Sequence, residues 1–253
     1  MKIAICFIGT GKHLNFLPNY YKTINQYFIP ECEKQFFVFT DGNLNDLPKN
    51  ITVFNVDHIN SPYDNKDRMF KSIGGLYRFH TIYDKVEYFK DYDWLVYIDA
   101  DYYCCSQNIS YSEFFDDKKK FFGVQHPTFS SEWSRFTGSI PYETNSQSWA
   151  YIKPEEYDKI YLQGCLWGGK IPYIFNLIEE LKNVTTKDLN NGVIPRAHDE
   201  SYLNRYRINM LDNFNVLHPC FAKPGLLPNH EFKFTPKMVH SPEYRYSILE
   251  VGE

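Results

Sequence analysis

Basic charge is not in overall excess in this sequence: 27 Lys and Arg stand against 31 Asp and Glu, a formal net charge of −4 over 253 residues. Such a chain has little with which to neutralise a polyanionic backbone, so nucleic acid is excluded as a partner. The six cysteines, Cys6, Cys32, Cys104, Cys105, Cys165 and Cys220, form no CxxC pairs and no regular framework. That spacing argues against a zinc or disulfide scaffold and leaves reduced thiols, with a cytoplasmic setting expected. No transmembrane segment is expected either, since the apolar run at the N-terminus, Lys2 to Ile8, is far too short to span a bilayer. It ends in Gly9-Thr10-Gly11-Lys12-His13 with no small-residue cleavage site, so it reads as a buried strand rather than a signal peptide. Internal repeats, low-complexity tracts and linker composition are also missing. A chain of this length without them fits one domain over residues 1–253, large enough to bury its own core.

What the sequence has in quantity is aromatic residues, 18% of the total with 21 Tyr and 21 Phe. Most of these rings belong in a core whose polar rim the tyrosine hydroxyls serve. Apolar patterning predicts strands over 2–8, 35–40, 51–56, 94–98 and 121–124. Helical spacing runs over 14–27, 68–89 (interrupted at Gly74-Gly75) and 173–184, and a further helix starts near Asp199. A polar loop fills 128–147, and frequent Pro and Gly after Pro219 predict an extended tail wrapping the domain. The alternation of strand and helix gives the fold class: α/β, with a Rossmann-like, mostly parallel central sheet, helices on both faces and ligands at the carboxyl ends of the strands.

The strongest local signal is Trp94-Leu95-Val96-Tyr97-Ile98-Asp99-Ala100-Asp101. A buried strand tolerates charge where it ends, and aspartates at i and i+2 point the same way on an extended backbone. Together they offer an all-oxygen site for a hard divalent cation, Mn²⁺ or Mg²⁺. Such a cation bridges phosphate oxygens and offsets charge on a departing nucleotide diphosphate. The plain alternative is a strand end with solvated acids.

A second cluster is His198-Asp199-Glu200-Ser201. Asp199 or Ser201 could be a helix N-cap with Glu200 in the first turn, where the macrodipole favours acid. The chemical reading is a carboxylate aimed at an anomeric carbon, because an oxocarbenium-like transition state develops positive charge.

With these residues in view, the sequence resembles the family-6 retaining glycosyltransferases, which include the histo-blood-group A and B transferases, the α-1,3-galactosyltransferases and bacterial relatives. Phe37-Val38-Phe39-Thr40-Asp41 resembles that family's Tyr-Val-Phe-Thr-Asp, and Leu76-Tyr77-Arg78-Phe79-His80 resembles a segment of bacterial members. Asp99-Ala100-Asp101 stands where animal enzymes carry Asp-Val-Asp, and His126-Pro127 resembles a pair in the acceptor loop. Tyr142-Glu143, Ser148 and Ala150-Tyr151-Ile152 follow in order, then Gly168-Gly169 and His198-Asp199-Glu200-Ser201. The likeness covers residues 1 to 220.

The resemblance implies a GT-A type nucleotide-sugar transferase fold, a UDP-galactose or UDP-N-acetylgalactosamine donor, a divalent metal on Asp99 and Asp101, and α-1,3 transfer with retention to a galactose-ending oligosaccharide. Residues 1–101 would then be the nucleotide-binding half and 102–253 the acceptor-binding half with its tail. By the same analogy Ile8, Gly9, Thr10 and His13 line the uridine pocket and Arg78 lies near the diphosphate and Asp99. His126 and Glu200 face the acceptor, with Glu200 the catalytic residue. Asp199 holds donor-sugar hydroxyls and His198 braces the turn. Gln163, Gly164 and Cys165 fall in the donor-discriminating segment, and the bulk of Cys165 favours UDP-galactose.

Departures from the family pattern are visible too. His13 replaces a tyrosine, Ala197 stands where many members have Trp, and Thr144-Asn145 replaces Arg-Arg. For the basic pair that closes over the diphosphate, Lys237, His240 and Arg245 are substitutes by position only. Two other readings compete: a family-8-like hexosyltransferase, which also uses Asp-x-Asp after a strand, and an inactive carbohydrate-binding domain on the same scaffold.

Overall fold

The computed structural model describes residues 1–57, 74–105, 107–135, 138–225 and 227–241. Its strands are β1 (Lys2–Ile8), β2 (Glu33–Thr40), β3 (Ile51–Asn55), β4 (Trp94–Ile98), β5 (Tyr102–Cys104), β6 (Phe121–Gln125), β7 (Leu162–Lys170), β8 (Phe214–Leu217) and β9 (Met238–His240). Its α-helices are α1 (Leu17–Tyr27), α2 (Arg78–Tyr83), α3 (Tyr111–Phe114), α4 (Tyr173–Asn190) and α5 (Asp199–Asn209). Seven strands make one sheet in the order β3-β2-β1-β4-β7-β6-β8, while β5 pairs with β9. Strands β1 to β4 are mutually parallel, and β6 is parallel to β8. Strand β7 runs against both of its neighbours, β4 and β6.

Side chains alternate across each strand, so one apolar run feeds two cores. Ile3, Ile5, Phe7, Phe36, Val38, Trp94 and Val96 face one side, where Leu17, Tyr20 and Ile24 of α1 cover them. Ala4, Cys6, Phe37, Phe39, Leu95 and Tyr97 face the other, covered by α2, α4 and α5 through Phe79, Leu177, Leu181 and Tyr202. Helices therefore sit on both faces of the sheet, as expected. Each fully buried Phe contributes about 1.5–3 kcal/mol relative to exposure. A core so rich in rings holds without disulfides, and all six cysteines are free.

Several boundaries differ from expectation. The 14–27 helix begins as a 3-10 turn, Gly11–Phe16, before Pro18 enters the first turn of α1. The expected 68–89 helix is broken, with 3-10 turns Gly74–Tyr77 and Val86–Phe89 flanking the six-residue α2. Its first six residues lie outside the described ones. The segment after Pro219 wraps the domain less loosely than expected: two 3-10 turns lead to β9, which docks on β5. Strand β7 escaped the sequence reading because of its glycines. A Cβ at Gly168 would stand 2.1 Å from the Leu95 carbonyl oxygen, and one at Gly169 2.6 Å from that of Lys120. The glycines here mark close backbone approach rather than a break.

Candidate active site

Parallel strands β1, β2 and β4 end along one edge of the sheet. Tyr20 of α1 ties two of those ends together, its hydroxyl reaching the Cys6 carbonyl (3.3 Å) and the Ile98 carbonyl (3.5 Å). At the end of β1, Ile8 and Thr10 are half-buried, Gly9 is buried and His13 is exposed. The Gly9 N–H donates to the Phe39 carbonyl, and the Gly11 N–H donates to Asp41 Oδ1 at 2.8 Å. Gly11 has φ +53°, which tightens the turn after the strand.

Asp99 and Asp101 follow β4 directly, with side chains 29% and 20% exposed. Tyr97 lies two residues before Asp99, and its hydroxyl donates to Asp99 Oδ1 at 2.6 Å. Asp101 Oδ2 lies 2.5 Å from His240 Nε2. The other oxygens, Asp99 Oδ2 and Asp101 Oδ1, have no hydrogen bond or ion pair among the described residues. Two hard oxygen donors thus remain available to a divalent cation whose remaining ligands come from elsewhere. No group of three or more His, Cys, Asp or Glu able to hold a metal exists among the described residues.

Arg78, the first residue of α2, joins the acidic pair to the second cluster. Its Nη1 lies 3.2 Å from Asp99 Oδ1, 3.2 Å from Asp199 Oδ2 and 2.6 Å from the Gly164 carbonyl oxygen to which it donates. Nε donates to the Gly75 carbonyl at 3.2 Å, and the guanidinium carbon stands 4.7 Å from the centre of the Tyr97 ring. Burial works against the charge of Arg78, but Asp199, Tyr97 and Asp99 outweigh it and keep the guanidinium protonated.

Gly164 is accessible to Arg78 because β7 bulges there. Gly123 of β6 pairs with Trp167, yet the next residue, Val124, pairs with Gln163. Gly164, Cys165 and Leu166 are skipped by β6, which frees the Gly164 peptide groups. Arg78 takes the carbonyl, and the N–H donates to Glu200 Oε2 at 2.7 Å. Glu200 is thereby more than a first-turn helix acid, since its partner lies on a different element. The Asp199 carboxylate sits between two glycines: a Cβ at Gly75 would stand 2.9 Å from its Oδ1, and one at Gly164 2.9 Å from its Oδ2.

Burial dominates the acidity of both carboxyls. It pushes Asp199 up to about 7 against the pull of Arg78, with Asp99 adding to the rise. It pushes Glu200 up to about 8; the Gly164 N–H pulls the other way and Asp199 adds to the rise. Tyr161 stands beside Glu200 and lowers it, although its buried hydroxyl makes no hydrogen bond of good geometry among the described residues.

The turn that delivers these acids is strained. His198, buried at the N-cap of α5, has φ +52° and ψ −128°. A non-glycine residue there costs on the order of 1–3 kcal/mol and persists only where its surroundings hold it. One such hold is Glu143, buried, whose Oε2 accepts the Arg196 N–H while Oε1 accepts that of Asn145. Another is Ser201, whose hydroxyl accepts the Ala197 N–H at 3.0 Å. Beneath them buried Asp188 accepts from Ser148 Oγ and the Tyr202 hydroxyl.

The remaining predicted residues separate. Gln163 Nε2 donates to the Tyr102 hydroxyl at 3.0 Å, while its Oε1 is buried without a hydrogen-bond partner among the described residues. Cys165 is buried, and its carbonyl accepts the Asp99 N–H. Its thiol is pushed well up by burial and then by Asp99. His126 sits at the end of β6, its Nδ1 accepting from Thr128 and its ring 4.3 Å from that of Phe129. Burial holds it neutral, with its pKa lowered to about 4. Lys237, just before β9, does not join the cluster: its ammonium pairs with Glu113 of α3, and it is His240, the last residue of β9, that meets Asp101. Arg245 lies outside the described residues.

Sequence reasoning missed the roles of Tyr97, Gly75, Glu143 and Tyr161. For Tyr97 the signal was present, since i and i+2 on a strand share a face and Tyr97 precedes Asp99 by two. Among the described residues no helix is long and apolar enough to cross a membrane. The family model for glycosyltransferase family 6 matches residues 1–223. The O-antigen biosynthesis glycosyltransferase WbnI of Escherichia coli is 30% identical over 210 residues, covering 81% of this chain and 82% of that protein. Histo-blood group ABO system transferases 2 and 1 of Rattus norvegicus are 25% and 26% identical over 81% of this chain, which spans only 58% and 56% of their lengths. A match over so much of the sequence, on an α/β sheet with this acidic edge, means that the chain belongs to glycosyltransferase family 6.

Proposed function

We propose that this glycosyltransferase moves galactose, in preference to N-acetylgalactosamine, from a UDP donor to a galactose-ending glycan, forming an α-1,3 linkage with retained configuration and using Mn²⁺ or Mg²⁺. The observation that supports this most is the single glycine, Gly164, held by Arg78 on one side and Glu200 on the other. It joins a cation-type acidic pair to a buried carboxyl in one rigid arrangement. The relatives act in the histo-blood-group ABO system and in O-antigen biosynthesis, both consistent with a glycan acceptor.

In this reading residues 1–101 hold the nucleotide, through Ile8, Gly9, Thr10 and His13 at the end of β1, and residues 102–253 supply the acceptor side in the same domain. Asp99 and Asp101 would hold a divalent cation, which would supply charge neutralisation for the departing diphosphate. Arg78 adds a fixed positive charge beside it, pre-organised by Tyr97 and Gly164. Asp199 receives the donor-sugar hydroxyls, and the unpartnered Gln163 Oε1 is an acceptor that a sugar hydroxyl satisfies. Glu200, once ionised, faces the anomeric carbon. Retention by a covalent glycosyl-enzyme or by same-face departure and attack requires that negative charge equally. Cys165 fills space below the site that a smaller residue would leave to a 2-acetamido group.

The deciding experiment offers UDP-galactose and UDP-N-acetylgalactosamine, with Mn²⁺, to galactose-ending oligosaccharides, reading UDP release and the product linkage by NMR. An α-1,3-linked product with galactose preferred is expected. A β-linked product, or UDP release with no transfer to any of these acceptors, overturns the reading.

A further inference from the structure

We propose that His240, on strand β9, is a positioning residue for Asp101, so that the C-terminal strand is part of the acidic site. The inference rests on the reading of Asp99 and Asp101 as a cation site. His240 stands 139 residues from Asp101, yet the two are locked together through main chain and side chain. Across the β5–β9 ladder Tyr102 pairs with His240, and the Ser241 N–H donates to the Asp101 carbonyl at 2.7 Å. On its other side the His240 N–H donates to the Lys223 carbonyl at 3.0 Å. The side chain is 7% exposed, and its ring meets that of Tyr102 edge to face with centroids 5.4 Å apart. Backbone and ring are therefore both fixed, and Nε2 has one place to go: 2.5 Å from Asp101 Oδ2.

The consequence concerns the geometry of the carboxylate. The terminal torsion of an aspartate is broad and roughly two-fold, so an untethered carboxylate must be ordered when it binds a cation. With Oδ2 taken by the His240 N–H, Oδ1 is left in a set direction. Asp99 is treated the same way, Oδ1 held by the Tyr97 hydroxyl and Arg78 and Oδ2 left open. The two aspartates thus have matching designs: one oxygen anchored to a buried donor, one presented. Outer partners of this kind typically alter metal affinity 10- to 100-fold when removed.

The test is Mn²⁺ titration of the full chain by electron paramagnetic resonance in the presence of UDP, comparing wild type with His240→Phe, His240→Ala and His240→Asn. Phe keeps an aromatic ring against Tyr102 but cannot donate; Asn keeps a donor. The expected result is Mn²⁺ binding weakened about 10- to 100-fold in the Phe and Ala variants and partly recovered in Asn. The Mn²⁺ concentration for half-maximal rate should rise far more than kcat at saturating Mn²⁺ falls, a split that loss of fold would not give. Thermal melts identify any variant that fails to fold, and the other then decides. Wild-type Mn²⁺ affinity in a folded Phe or Ala variant overturns the role of His240 and leaves the cation site standing. Failure of the wild type itself to bind Mn²⁺ with UDP overturns both.

Discussion

Arg78 and Glu200 hold the same residue from opposite sides: the guanidinium donates to the Gly164 carbonyl at 2.6 Å, and the Gly164 N–H donates to the Glu200 carboxylate at 2.7 Å. One residue thus fixes the distance between the cation that faces Asp99 and the carboxyl that closes the site. A side chain at this position has no room, since its Cβ would lie 2.9 Å from Asp199 Oδ2. Gly164→Ala is expected to fold, retain UDP binding and lose kcat by a factor on the order of 10², as small misplacements near reacting groups do. Circular dichroism, UDP titration and steady-state kinetics check this; a kcat within about twofold of wild type would contradict it.

Replacing Glu200 by Gln keeps an oxygen for the Gly164 N–H and removes the charge. Loss of kcat by a factor on the order of 10² or more is expected, with UDP still bound. If Glu200 were only a first-turn acid, the change would cost about 0.3–1 kcal/mol of stability and leave turnover intact. Near-wild-type kcat in a folded variant removes Glu200 from the mechanism.

The pH profile follows from the same carboxyl. Burial raises Glu200 to about 8, so below that pH the free enzyme carries it protonated. Because the ionised form is the useful one, kcat/KM is expected to climb with pH and level off above about 8. A flat profile between about pH 6 and 9, fit with no group in that range, would refute this.

Stability should move the opposite way. Folded Asp199 and Glu200 keep protons up to about 7 and about 8, whereas the unfolded chain releases them near the ordinary carboxylate values of 3.8 and 4.5. Between those limits the folded state binds more protons, so the stability these groups contribute falls as pH rises. The melting temperature of Glu200→Gln relative to wild type should therefore increase from about pH 5 to about pH 8. A constant difference across that range would show that burial does not shift Glu200.

Metal and donor predictions rest on the strand ends. EDTA is expected to abolish transfer, and Asp99→Asn or Asp101→Asn to cut it steeply, because a neutral amide removes charge that balances the diphosphate. Full activity in EDTA would place the enzyme among metal-free transferases. UDP-galactose is expected to turn over faster than UDP-N-acetylgalactosamine, by a discrimination of about 1–3 kcal/mol, with Cys165→Gly narrowing the gap. Side-by-side kinetics on both donors decide it.

The sequence made some of this legible and hid the rest for physical reasons. Strand β4 and its two aspartates stood out because a continuous apolar run that stops abruptly at acids marks where a buried strand reaches solvent. The His198-Asp199-Glu200-Ser201 turn stood out as a cluster of acids at a helix start, whereas Arg78 was found through resemblance, not through any local periodicity. Strand β7 was hidden because its glycines, Gly164, Gly168 and Gly169, look like punctuation until the close backbone contacts are seen. The link from Tyr97 to Asp99 is local, while those from Glu143 to Arg196 and from His240 to Asp101 are tertiary. Only the first leaves a trace in spacing. Lys237 and His240 both looked like replacements for a basic closing pair; in the fold Lys237, ahead of β9, meets Glu113, and His240, at the end of β9, meets Asp101.

The reversed direction of β7 has a consequence for altering this enzyme. Its neighbours bring their last residues to the working edge, but β7 brings its first, so Gly164 and Cys165 lie inside a strand, between Gln163 paired with Val124 of β6 and Leu166 paired with Ile98 of β4, rather than in a loop. Sites built on loops accept insertions and can be reshaped by changing their length. Here a one-residue insertion between Leu166 and Trp167, inside the ladder with β4, would flip the following side chains to the opposite face of the sheet, carrying Trp167 out of its core. Selectivity in this protein is thus adjustable by exchange of individual side chains at fixed length, and a directed-evolution library that varies length at this segment should return only unfolded chains.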